Sequence, residues 1–80
     1  MGTDPLRVLV VDDHQMFAES VARILGDEPD LEVVGVVGNA EDARVVAVAT
    51  RPDVVLLDFG LPDLDGASAA RLLRDAHPAA

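Results

Sequence analysis

Arg7-Val8-Leu9-Val10-Val11-Asp12-Asp13 is an apolar run that stops at two adjacent carboxylates, and Asp53-Val54-Val55-Leu56-Leu57-Asp58 ends in the same way on one. From Leu6 to Val11, apolar residues on both faces mark a buried strand of a parallel sheet rather than a half-exposed antiparallel one. If the two runs are parallel strands of one sheet, Asp12, Asp13 and Asp58 meet at a single carboxyl-terminal edge. Ligands of open α/β sheets bind at that edge, where the strand order reverses. Carboxylates gathered there repel one another, a pair at about 4 Å by roughly 4 kcal/mol at an effective dielectric near 20. Such a cluster is kept when a hard cation or a phosphoryl group uses it.

Outward from these runs, the chain reads as strand and helix in alternation. Leu6 to Val11 is the first strand. A helix from Gln15 to Leu25 carries Phe17, Val21, Ile24 and Leu25 on one face, with Glu19 and Arg23 four apart in the favourable order outside. Gly26 is expected to close it in a left-handed cap, followed by the turn Asp27-Glu28-Pro29-Asp30. Leu31 to Val37 is the second strand, where Glu32 and Gly35 suggest an edge, and Gly38 breaks it. Asn39 can cap a second helix, with Glu41 and Asp42 in its first turn and Ala43, Val46, Ala47 and Thr50 on one face. That helix stops before Pro52. Val54 to Asp58 is the third strand. The loop from Phe59 to Gly66 leads into a third helix from about Ala67, with Ala69, Leu72, Leu73 and Ala76 at helical spacing, ending before Pro78. Three strand-helix units in a row argue a right-handed parallel α/β sheet. Residues 1–5 and 77–80 are expected to be loose ends of a single domain.

Composition narrows the class. Eighty residues allow one small domain, and half of them are apolar, so the core must come from many small Val, Leu and Ala contacts. All six basic residues are arginine, against fifteen acids, for a formal net charge of -9. That balance opposes nucleic acid and anionic membranes as partners and suits divalent cations. Cysteine is absent, which excludes disulfides and thiolate metal sites. The start, Met1-Gly2-Thr3-Asp4-Pro5, has neither the basic flank nor the apolar stretch of a signal peptide, and no apolar run approaches membrane-spanning length. A cytoplasmic location is expected.

Val10-Val11-Asp12-Asp13-His14 and Leu56-Leu57-Asp58-Phe59-Gly60-Leu61-Pro62-Asp63-Leu64-Asp65-Gly66 resemble the receiver domain of two-component response regulators. The resemblance extends through Asn39-Ala40-Glu41-Asp42-Ala43 and Arg51-Pro52-Asp53, with Asp58 45 positions after Asp13. Its flavour is that of the NarL/FixJ-type transcriptional regulators. It implies a flavodoxin-like fold with strand order 2-1-3 in this stretch. It further implies that Asp58 accepts a phosphoryl group from a histidine kinase, with Mg²⁺ held by Asp13, Asp58 and the backbone carbonyl of Gly60, and by Asp12 through a water. That assignment is chemically sound, because Mg²⁺ takes oxygen ligands, keeps several waters and screens the charge of a phosphoryl donor.

Neighbouring residues admit plainer readings. Gly60 also reads as a turn glycine with positive φ, and Pro62 as a residue that fixes the loop's path. Asp63 and Asp65 read as solvated loop acids or a cap for the third helix rather than as ligands. His14 reads as an exposed polar residue at the start of the first helix, since the resemblance places the phosphohistidine on the kinase; His77 has no constellation around it.

The family's fold has five strand-helix units, and three are expected here. The resemblance assigns a phosphate-reading Ser or Thr to the fourth strand and a lysine to the fifth, and this sequence contains no lysine. Without further units, Val54 to Leu57 lies at an unprotected apolar edge, which favours a homodimer through that side. Two other classes compete with the phosphoacceptor. One is a receiver that serves as a protein-binding module without phosphorylation. The other is a magnesium phosphatase, disfavoured because its second aspartate would stand where Gly60 does.

Overall fold

The computed structural model describes residues 4–58 and 60–76, and the side chain of Ala76 lies outside the description. Its elements follow in the order β1 (Leu6–Val11), α1 (Gln15–Gly26), β2 (Leu31–Val37), α2 (Ala40–Thr50), β3 (Val54–Leu57) and α3 (Gly66–Ala76). The sheet is parallel in the order β2-β1-β3, with β1 in the centre. This is the flavodoxin-like arrangement the sequence predicts. The expectation of loose ends at 1–5 and 77–80 falls outside the described residues, except at Asp4 and Pro5.

The central strand explains why an apolar run of this kind must be covered on both sides. Val8, Leu9, Val10 and Val11 are all buried. Leu9 and Val11 face α2 and α3, in a core with Ala43, Ala47, Leu61 and Leu72. Val8 and Val10 face α1 and pack with Ala18, Leu25, Leu31 and Val33. The alanines let α2 lie close to the sheet, and β2 makes room in the same way. A methyl group on Gly35 would stand 2.9 Å from Val46 Cγ1 and 3.1 Å from Leu9 Cδ1. Next to it the β1–β2 register slips, since Val8 pairs with Val33 and Leu9 with Gly35, leaving Val34 as the extra residue of a bulge.

The helix ends depart from expectation in two places. Gly26 does not adopt a left-handed conformation; it is the last residue of α1, and Asp27 closes the helix in the right-handed region by donating its N–H to the Arg23 (3.2 Å) and Ile24 (3.3 Å) carbonyls. The left-handed position falls instead on Arg51, the carboxyl cap of α2, at φ 49°. It is held there from outside. The Arg7 guanidinium reaches the carbonyls of Thr50 and Arg51, placing a cation at the negative end of the helix. Asp53 accepts the Arg7 N–H (2.9 Å) and donates its own N–H to the Arg7 carbonyl (2.7 Å), which fixes the entry to β3. None of these contacts uses the Arg51 side chain, so Arg51→Gly is expected to raise stability by about 0.5–1 kcal/mol, read as a higher urea midpoint.

The apolar faces of α1 and α3 are less buried than their spacing suggests. Ala18 is the buried residue of α1, whereas Phe17 is 60% and Ile24 66% exposed. In α3, Leu72 is buried but Leu73 is 56% exposed. The cause in α1 is the width of the sheet: α1 packs against β1 and β2, and the flank of β3 on its side, Val54 and Leu56, is open.

Candidate functional site

The acidic residues come together because the strand pairing continues one step past each apolar run. Asp12 donates its N–H to the Val37 carbonyl (3.0 Å), and Asp58 to that of Val11 (3.0 Å). Both therefore leave the sheet at the same carboxyl-terminal edge, although β3 itself ends at Leu57 rather than at the expected Asp58. Asp12, Asp13, His14 and Asp58 each offer one ligand atom within 4.8 Å of the others. Asp12 and Asp58 are partly buried and Asp13 is exposed. The trio expected from sequence is thus brought together.

His14 is a member the sequence reading set aside. Its ring is exposed as expected, yet Nδ1 lies 2.8 Å from Asp12 Oδ1, 3.2 Å from Asp13 Oδ1 and 3.7 Å from Asp58 Oδ2. The hydrogen bond to Asp12, with the negative charges of Asp13, Asp12 and Asp58, raises the imidazole above its ordinary value. In return the His14 backbone N–H (2.9 Å) and then its ring hold Asp12 below the usual carboxylate range. A raised pKa in the fold means that the charged ring's stabilisation is complete below about 6.5 and is lost as pH rises through the raised value. The ring protons of His14 are expected to titrate above an ordinary histidine in the metal-free chain. In Asp12→Asn the NMR midpoint should fall back towards 6.5.

Gly60 borders the cluster. Its N–H donates to Asp58 Oδ1 (2.9 Å), and a methyl group there would stand 3.2 Å from that oxygen. Its φ is not positive, so the turn-glycine reading is corrected: space beside the carboxylate, not backbone conformation, accounts for the glycine. Asp65 caps α3, accepting the Ser68 N–H (2.8 Å), which holds its carboxyl below the usual range. Asp63 does not share that task. It accepts from the Ala40 (2.9 Å) and Glu41 (3.2 Å) N–H groups and so caps α2, a contact across 23 positions that no local spacing announces.

As a donor set, three carboxylates within one small sphere suit a hard divalent cation such as Mg²⁺. The His14 imidazole is a poorer match for that ion, but at 74% exposure it can turn away into solvent. The site opens into a groove of about 690 Å³ between α1 and β3, lined by Val10, Phe17, Val21 and Leu56 and ending at Asp12 and Asp58. No helix among the described residues is long and apolar enough to cross a membrane.

A family model for the response regulator receiver domain matches residues 8–80. The chain is 42% identical over 72 residues to protein-glutamate methylesterase/protein-glutamine glutaminase 1 of Saccharophagus degradans, covering 90% of this chain but 20% of that protein. Among solved structures, the signal receiver domain of the response regulator NarL from Mycobacterium tuberculosis superposes with a TM-score of 0.79 at 39% identity, over 90% of this chain and 58% of that one. The crystal structure of the P1 domain of CheA3 in complex with CheY6 from R. sphaeroides contains a match with a TM-score of 0.74 at 30% identity, over 90% of this chain and 54% of that one. The chain spans about a fifth of the curated methylesterase's length, so the activity named for that enzyme does not carry over with the match.

Proposed function

The chain belongs to the response regulator receiver family, and on that premise we propose that it accepts a phosphoryl group from a histidine kinase on Asp58, with Mg²⁺ as cofactor. The observation that carries this reading is the convergence of Asp12, Asp13 and Asp58 at one sheet edge, with Asp58 reachable from solvent. Asp13, Asp58 and the Gly60 carbonyl would hold the cation directly, and Asp12 would act through a water. When bound, the cation neutralises the phosphoryl oxygens and lines up the attack. An Asp58 oxygen attacks phosphorus, the bond to the kinase imidazole nitrogen breaks with its electron pair returning to the ring, and an acyl phosphate remains on Asp58. The Gly60 N–H, already on Asp58 Oδ1, steers the other oxygen of the carboxylate towards the donor. The exposed His14 ring would have to turn away from Asp12 for the site to be filled.

The chain acts as a signalling module without turnover. The flavour of its motifs favours a place in a transcriptional regulator, proposed as a cytoplasmic one. The described CheA3–CheY6 complex supports a kinase phosphotransfer domain as partner. Neither nucleic acid nor membrane suits its charge. Mg²⁺ titration followed by ¹H–¹⁵N NMR tests the metal reading: amide shifts should centre on Asp12, Asp13, Asp58 and Gly60, and an unresponsive spectrum would contradict it.

One observation favours a second reading. Val54, Leu56, Phe17 and Ile24 expose apolar surface along the β3 flank, and among the described residues β3 lies at an edge of the sheet. A second copy of the chain covering that flank gives a homodimer that binds without phosphorylation. Sedimentation of a compact monomer at micromolar concentration would count against it.

A further inference from the structure

One side chain outside the chemistry above joins the acidic site to the amino end of α2. Asp63 Oδ1 accepts the Ala40 N–H at 2.9 Å, while Oδ2 takes Ala40 at 3.1 Å and Glu41 at 3.2 Å. These are two of the N–H groups that a helix leaves without partners at its start. The next is satisfied locally, since Asn39 Oδ1 accepts the Asp42 N–H at 2.8 Å. The helix thus has its own capping residue, and Asp63 comes in addition, from another loop.

Both ends of this contact are seated in the core. Ala40 and Leu61 are buried, and Leu64 packs against the same cluster. Asp63 stands between those two leucines. Leu61 returns its N–H to the Asp58 carbonyl (3.4 Å) and Leu64 to that of Leu61 (3.2 Å), two short-range bonds that tie Asp58, Leu61 and Leu64 into one loop. Gly60 lies inside it. On the other side, the β2–α2 connection borders the acidic pair, for a methyl group on Gly38 would stand 3.9 Å from the Asp12 carbonyl oxygen. Asp63 is the described side chain that ties these two flanks of the site together.

We propose that Asp63 is a positioning residue of the acidic site, whose carboxylate clamps the loop carrying Gly60 to the amino end of α2 and so holds the cation-binding geometry. The proposal rests on reading the cluster as a Mg²⁺ site. A ligand that comes from the backbone can be placed only by fixing the loop that bears it, and partners one step removed from a metal typically change its affinity by about 10–100-fold.

The test measures Mg²⁺ affinity by NMR titration for wild type, Asp63→Ala, Asp63→Asn, Asp63→Glu and Asp65→Ala, each well below its own melting temperature. Asp63→Ala should bind Mg²⁺ about tenfold more weakly. Asp63→Asn removes the same charge but retains an acceptor oxygen, and should lose no more than about threefold. Asp63→Glu keeps the charge yet lengthens the clamp, and should still weaken binding; it serves where the alanine variant does not fold. Asp65→Ala uncaps α3 and should leave affinity within about twofold of wild type. Lower melting with wild-type affinity in Asp63→Ala or Asp63→Glu would overturn the proposal, leaving a helix cap alone. Equal losses in Asp63→Asn and Asp63→Ala would overturn it in favour of a simple charge effect. If wild type itself ignores Mg²⁺, the reading of the cluster falls too, and that arm alone identifies the case.

Discussion

Asp58→Asn is expected to fold like the wild type and to take up no phosphoryl group at all. An amide oxygen is not a nucleophile of comparable strength, so the loss is of the reaction itself rather than of a fraction of its rate. The structure gives no reason for the fold to suffer. Asp58 lies at the end of β3, its N–H pairs with the Val11 carbonyl, and an asparagine oxygen can still accept the Gly60 N–H. Removing one of three gathered negative charges relieves repulsion, so the thermal midpoint should hold or rise. Intact-mass spectrometry after exposure to a small phosphodonor and Mg²⁺ reads the uptake, and circular dichroism reads the fold. Asp65→Asn is the matching control: it changes a neighbouring loop acid that caps α3 and should leave uptake intact.

Leu72→Ala is expected to have the largest effect on stability. Leu72 is fully buried where α3 meets Leu9, Val11, Ala43, Ala47 and Leu61, the core shared by the sheet and two helices. Emptying such a site costs about 2–5 kcal/mol, lost transfer energy and cavity together. A domain of this size rarely has more than about 3–5 kcal/mol in total, so the variant should be largely unfolded at room temperature. The adjacent Leu73→Ala should change stability by no more than about 0.5 kcal/mol, because Leu73 is 56% exposed. Urea titrations of the two variants compare neighbouring leucines of one helix, one buried and one exposed.

That contrast also shows where sequence reasoning stops. The first run is legible because every residue from Val8 to Val11 needs cover, and only a central strand supplies it on both faces. The alanines of α2 were legible for the same reason: their spacing named the face, and Ala43 and Ala47 are buried. Spacing did not distinguish Leu72 from Leu73, or Ala18 from Phe17, since which half of an apolar stripe meets the sheet depends on where the helix sits over three strands. Residue preference puts a left-handed cap on Gly26 at the end of α1, whereas the left-handed residue is Arg51 at the end of α2, where Arg7 and Asp53 fix the turn from a distance.

At the site, the carboxylate trio was written at the strand ends and needed only the parallel pairing. Adjacency to two acids says nothing about ring direction, yet the His14 Nδ1 turns back onto Asp12. Asp63 was assigned to solvent or to the nearer helix. Its real partners are the N–H groups of Ala40 and Glu41, which only tertiary structure brings within reach.

The central claim is that Asp58, served by Mg²⁺ at the acidic cluster, is the phosphoacceptor. Peptide mapping of the wild-type chain after treatment with a small phosphodonor, with and without Mg²⁺, tests it most directly. A single modification is expected, on Asp58, formed only when Mg²⁺ is present. A folded chain that takes up no phosphoryl group in saturating Mg²⁺, or carries it on another residue, would contradict it.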